Sequence, residues 1–164
     1  SRYGETFVMP DVYISPVANK VLNLQNPQEK MNKSDDGNNK GTIFLMDDIE
    51  TAKRKIMSAK TDSFNKVHFD EENQPGISNL MSILSKITGE SFESIENRYV
   101  GLGYGVFKKE VAEVVGNLLS TIQTRYNKFN NRELLDKILN DGANKARVVA
   151  SKTLNRTMKN LGLK

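Results

Sequence analysis

The spacing of apolar positions changes near residue 47. Before it, short apolar runs at Phe7-Val8-Met9 and Ile43-Phe44-Leu45 are punctuated by Pro10, Pro16 and Pro27, the pattern of short extended pieces. After it, apolar residues recur every three or four positions, the period of helices buried on one face. Ile49, Ala52, Ile56 and Ala59 predict a helix from about Asp48 to Ala59, opened by a capping box in which Asp47 accepts from backbone amides and Glu50 reaches back. Pro75-Gly76 opens a second helix, carrying Ile77, Leu80, Met81, Leu84 and Ile87 until Gly89 stops it. A short third helix is expected after Ser91, ending near Gly101. Val111, Val114, Val115, Leu118, Leu119, Ile122 and Tyr126 then form a wide stripe, that of a long core helix.

Asn130 with Glu133 restarts a helix through Leu134, Leu135 and Ile138, and Asp141-Gly142 is expected to break or bend it. The final helix is two-faced. Ala146, Ala150, Leu154, Met158 and Leu161 fall within a sector about 120° wide, and Lys145, Lys152, Arg156 and Lys159 cluster opposite. From Gly142 to Lys164 there are six basic residues and no acidic one. No internal repeat is present, and low complexity is confined to Asp35 to Asn39.

Composition narrows the chemistry. The 164 residues suffice for one core, or for a domain plus part of another. Ser1 stands directly before Tyr3 and Phe7-Val8-Met9, without an initiator methionine or a signal-like run, which is the expectation for a piece cut from something longer. No apolar stretch approaches the roughly 20 residues that span a bilayer, so a soluble protein is expected. Cysteine is absent, which excludes disulfides, thiolate zinc sites and cysteine nucleophiles and is compatible with a reducing cytoplasm. His68 is the only histidine, so no histidine triad or multi-histidine metal site can form within this chain. The net charge of +4 and pI near 9.2 permit a polyanionic partner without requiring one.

Lys30-Met31-Asn32-Lys33-Ser34 lies in a polar segment, Asn26 to Gly41, that cannot be a helix interior. Two ammonium groups on a surface loop can follow phosphate oxygens as charge moves during a reaction. The same pattern also describes an ordinary solvated loop. Among 24 lysines and arginines a pair three apart arises by chance, and Asp35-Asp36 would partly neutralise this one.

The run resembles the Lys-Met-Ser-Lys-Ser signature of class I aminoacyl-tRNA synthetases, with Asn32 where that family usually has serine. The resemblance covers essentially the whole chain. Thr61-Asp62-Ser63, Pro75-Gly76-Ile77-Ser78-Asn79-Leu80 and Gly103-Tyr104-Gly105-Val106-Phe107-Lys108 follow in the order and approximate spacing of the C-terminal half of bacterial tryptophanyl-tRNA synthetases. The tyrosyl enzymes share the subclass and are the competing match.

The resemblance implies a mainly α chain. Residues 1–45 would be the tail of an α/β Rossmann-type nucleotide domain and residues 46–164 a helical, anticodon-binding-like bundle. It implies ATP as substrate with Mg2+ carried on its phosphates, tryptophan and tRNA(Trp) as partners, a homodimer for the intact enzyme, and a cytoplasmic, non-membrane setting. Lys30 and Lys33 would meet the triphosphate, with Ser34 as a hydrogen-bonding neighbour and Met31 and Asn32 completing the loop. Val21, nine residues earlier, would place an aliphatic side chain against the adenine, its plain alternative being packing against Leu22 and Leu24. The Pro75 to Leu80 and Gly103 to Lys108 blocks read as structural, a helix start and a tight glycine turn. Arg125, Tyr126, Lys128 and Phe129, with the basic face of the last helix, could meet RNA or could be solvated surface.

Acting alone, the chain is expected to be inactive, because the first signature and the amino-acid pocket are not in it. Two further readings compete: a non-catalytic helical RNA-binding module with a degenerate loop, and a protein-interaction bundle that binds neither ATP nor RNA.

Overall fold

The computed structural model describes residues 3, 4, 6–14 and 20–163; Ser1, Pro16 and Lys164 lie outside the described residues. The fold is mainly α, with five helices among the described residues: α1 Ile49–Met57, α2 Pro75–Thr88, α3 Phe92–Arg98, α4 Tyr104–Phe129 and α5 Arg132–Asn160. The extended character expected before residue 47 is reduced, among the described residues, to one antiparallel bridge between Leu22 and Lys30.

Two compact units are present: the described residues of Ser1–Tyr13 with Tyr126–Lys164, and those of Ile14–Arg125. The second holds the core. Ala52 and Ile56 of α1, Ile77, Leu80, Met81 and Leu84 of α2, Ile95 of α3, and Phe107 and Val111 of α4 are all fully buried. These are the residues the three-and-four spacing selects, because only one stripe of each helix can face a shared interior. The long stripe of α4 is narrower than its sequence suggests. Val111, Val115 and Leu119 are buried, whereas Leu118 and Tyr126 are 40% and 50% exposed.

Several boundaries differ from expectation for identifiable reasons. The cap of α1 is Asp48, whose carboxylate accepts from the Thr51 amide at 3.0 Å. Asp47 is drawn away by the Phe44 amide at 3.0 Å and by Lys55 Nζ at 2.7 Å, and Glu50 turns to Lys53 at 3.4 Å rather than back to a cap. Gly89 ends α2 in the left-handed conformation as expected, and the Ser91 hydroxyl caps α3, which stops at Arg98 rather than near Gly101. The glycine that turns the chain before α4 is Gly101, at φ +76°, a region costly for residues with a Cβ. Tyr104 to Lys108 are already helical.

Asp141-Gly142 neither breaks nor caps α5, which runs unbroken for 29 residues from its cap at Asn131. An interior glycine costs a helix only about 1 kcal/mol relative to alanine, too little to stop so long a segment. No residue of α5 is buried.

A polar cluster fastens the start of α4 to the segment before α2. The Tyr104 hydroxyl donates to Asp62 Oδ1, and Gln74 Nε2 donates to the Tyr104 oxygen at 2.7 Å and to the Lys66 carbonyl at 2.9 Å. Burial works to raise the Asp62 carboxyl. The hydrogen bonds from Tyr104, the Phe64 amide and Gln74 together outweigh it and hold the group below the usual aspartate value. Burial first, and then the bond to Asp62, pushes the Tyr104 hydroxyl up to about 12.

A carboxyl depressed in the folded state contributes stability that is present above its unfolded pKa of about 3.9 and is lost as pH falls through the lower folded value. Tyr104→Phe should therefore cost about 1.5–3 kcal/mol at pH 7, a hydrogen bond to a charged group, and less at pH 3, below the unfolded value. Urea midpoints at the two pH values read this difference. The same loss at both would mean that the hydroxyl does not act through Asp62.

Candidate functional site

The loop that carries the two candidate lysines grows from a tight hairpin. Asn23 N donates to the Glu29 carbonyl at 2.8 Å, Met31 N to the Val21 carbonyl at 2.9 Å, and Leu22 bridges Lys30 between them. Val21 and Met31, ten residues apart in sequence, are thus paired, and Met31 packs half-buried against the core. The hairpin is held from the side by Asn79 of α2. Its Oδ1 accepts from the Leu22 amide at 2.8 Å and its Nδ2 donates to the Leu22 carbonyl at 2.9 Å. A buried carboxamide thereby offers Leu22 the donor and acceptor a neighbouring strand would offer.

Beyond the hairpin the chain turns outward. Lys30, Asn32, Lys33 and Ser34 are all exposed, and Asp35 N donates to the Asn32 carbonyl at 3.3 Å across the turn. The two aspartates that follow are hydrogen-bonded within the loop rather than ion-paired to the lysines. Asp35 accepts from the buried Thr42 hydroxyl, and Asp36 accepts from the Asn38 amide at 3.2 Å. Among the described residues neither Lys30 nor Lys33 has an ion-pair partner. The arrangement presents two exposed ammonium groups, neither in an ion pair among the described residues, on a loop whose stem is hydrogen-bonded to the core. Such groups can stabilise negative charge that develops on a phosphate.

The stem continues into α1. Leu24 N donates to the Gly41 carbonyl at 2.9 Å and Lys60 N to the Leu24 carbonyl at 2.7 Å. Lys55, 6% exposed, donates to the Thr42 carbonyl at 2.8 Å as well as to Asp47. The Pro75 to Leu80 block is structural, as expected, and in more ways than a helix start. A Cβ on Gly76 would lie 2.2 Å from the Lys60 carbonyl oxygen, so only glycine allows this approach. Ser78 accepts from the Asp70 amide at 2.8 Å, and Asn79 anchors the hairpin. His68 places Nδ1 3.1 Å from Glu96, which also accepts from the Phe69 amide.

The basic stripe of the last helix belongs to the other compact unit. Lys145, Lys152 and Lys159 are exposed, whereas Arg156 is committed, its Nε donating to the Thr6 carbonyl at 3.1 Å. Sequence reasoning missed Asn79 as an anchor and Lys55 as a buried cation. Neither lies at the centre of the apolar stripe of its helix, so the hydrophobic period did not select it.

The chain matches the model of the class I tRNA synthetases for tryptophan and tyrosine (W and Y) over residues 1–120. It is 46% identical over 162 residues to a tryptophan–tRNA ligase of Listeria monocytogenes, covering 99% of this chain and 49% of that protein. The corresponding protein of Caldanaerobacter subterraneus is 44% identical over 164 residues, again with 49% of its length covered. Among solved structures, the tryptophanyl-tRNA synthetase of Mycoplasma pneumoniae superposes with a TM-score of 0.79 at 32% identity, over 92% of this chain and 45% of that one. That of Campylobacter jejuni, complexed with ADP and tryptophan, gives 0.61 at 28% identity, over 98% and 49%. The chain spans about half the length of the curated relatives it matches, and the half it resembles is the C-terminal one. With most of its length matched by one family model, the chain belongs to the class I tRNA synthetases of the tryptophan and tyrosine type.

Proposed function

We propose that this chain is the C-terminal part of a tryptophan–tRNA ligase, supplying the loop that handles ATP phosphates and a helical region that faces tRNA. The observation that carries this reading is the anchored hairpin presenting Lys30 and Lys33 without counterions. In the reaction, a carboxylate oxygen of tryptophan attacks the α-phosphorus of ATP. The bond from that phosphorus to the β-bridging oxygen breaks, and pyrophosphate leaves with the electron pair. Lys33, in the turn, meets charge as it develops on the leaving group, while Lys30, at the hairpin, holds the triphosphate. Ser34 donates a neighbouring hydrogen bond, Met31 and Asn32 shape the loop, and Val21 rests against the adenine. Magnesium travels with the ATP phosphates.

Transfer of the aminoacyl group to the 3′ end of tRNA(Trp) follows. Residues 1–45 close the nucleotide domain and residues 46–164 form the helical part of a cytoplasmic homodimer. Tryptophan is favoured over tyrosine because the relatives at 43–46% identity bear that name. No helix among the described residues is long and apolar enough to cross a membrane.

A chimera tests the reading. Residues 1–164 exchanged for the matching half of the Listeria monocytogenes relative should support tryptophan-dependent exchange of pyrophosphate into ATP. The 164-residue chain alone should stay at background. A folded chimera without exchange, or one that exchanges only with tyrosine, overturns it.

The tRNA-facing part is tested separately, and Arg156, already engaged with Thr6, is the wrong residue for it. Replacing Lys145 and Lys152 by glutamine in the full-length ligase should lower the logarithmic salt slope of tRNA binding by about 0.7–0.9 for each phosphate no longer neutralised. Tryptophan activation should not change. An unaltered slope and affinity would make this stripe a solvated face.

A further inference from the structure

A second cationic feature lies on the far limb of the same loop. Thr51, Arg54, Lys55 and Ser58 recur at the spacing that shares one face of α1, and Gly37, Asn38 and Lys40 close a cleft of about 390 Å3 against it. Lys55 is buried, and two of its three donors are used by Thr42 and Asp47, which leaves one N–H. Arg54 commits one guanidinium nitrogen to the Thr51 hydroxyl at 2.9 Å.

Asp47 is matched to Lys55, and Asp48 is turned to the amide and hydroxyl of Thr51. Among the described residues Lys40 and Arg54 have no ion-pair partner. The negative end of α1 accounts for Arg54 and Lys55 in its last turn, yet it does not account for Lys40, which arrives from the loop.

We propose that this cleft binds a phosphate group, gripped by Lys40 and Arg54 with the remaining Lys55 donor at its floor, at a site separate from Lys30 and Lys33. The phosphate belongs either to a free polyphosphate or to a nucleic-acid backbone. Only the choice between these sources rests on the function proposed above. Gly37, Asn38 and Lys40 continue the loop that bears Lys33, so the cleft and the two lysines lie on one loop.

The 164-residue chain, labelled with 15N, is titrated with inorganic pyrophosphate and, separately, with a single-stranded RNA oligonucleotide. Saturable shifts should map to the amides of Gly37, Asn38, Thr51 and Ser58. Lys40→Gln with Arg54→Gln should weaken them by at least about tenfold, the loss expected when charge-assisted bonds are removed. Lys30→Gln with Lys33→Gln should leave the cleft shifts in place. A response to pyrophosphate identifies a polyphosphate, and a response to RNA alone identifies the backbone. Absence of both, shifts confined to residues 30–34, or an affinity unchanged in the Lys40/Arg54 variant overturns the site. Should that variant unfold, the map from the unsubstituted chain decides. An inactive chimera would remove the synthetase reading and leave this titration intact.

Discussion

Lys33→Ala in the full-length ligase is expected to slow adenylate formation on the order of 100- to 1000-fold while changing ATP affinity much less. Lys33 sits in an exposed turn, and both Asp35 and Asp36 are engaged elsewhere. On the function proposed above, its ammonium group starts outside any ion pair and would meet its full electrostatic partner only as pyrophosphate gathers charge. Removing one such interaction raises a barrier by about 2.7–4 kcal/mol. Stopped-flow adenylate formation, measured beside equilibrium ATP binding, separates the two quantities. Equal losses in both would reduce Lys33 to a ground-state binding residue.

Asn79→Leu should be the most damaging of the near-isosteric changes. The leucine fits the buried volume, but it leaves the amide and carbonyl of Leu22 without the partners now at 2.8 and 2.9 Å. A buried backbone group left unsatisfied costs about 1–3 kcal/mol, and Leu22 is only half-buried, so the chain should lose about 1–3 kcal/mol in all. The effect should reach the loop, because Leu22 is bridged to Lys30. Chemical denaturation gives the stability, and amide exchange at Met31 reports the hairpin. A loss below about 1 kcal/mol would mean that water replaces the carboxamide.

The helical part was legible because its signal is repeated. Ile77, Leu80, Met81 and Leu84 each report the same face, and all are buried. Caps rest on single residues and were harder. Asp47 and Asp48 are adjacent and chemically alike, and only the competing demand of Lys55 decides which of them caps α1. Asp141-Gly142 carried a turn signal that a continuous helix overrides, since the local preference is worth about 1 kcal/mol. The loop lysines could be picked out by their spacing and family likeness. Their surroundings could not, because Asn79 and Thr42 reach the loop from positions that no local pattern connects to it.

The bond between the Thr42 hydroxyl and Asp35 alters the entropy of the loop more than its charge. It closes the chain between residues 35 and 42 upon itself, just after the turn at Lys33. Ordering a free backbone costs about 1–2 kcal/mol per residue, and a segment disordered before binding would subtract that cost from the affinity for its ligand. Here much of the ordering accompanies folding, so, on the function proposed above, a phosphate arriving at Lys33 would meet a limb with few conformations left to lose. The carboxylate beside the signature lysines therefore serves as a clasp, and its contribution would be felt in how little the loop must rearrange when a ligand arrives.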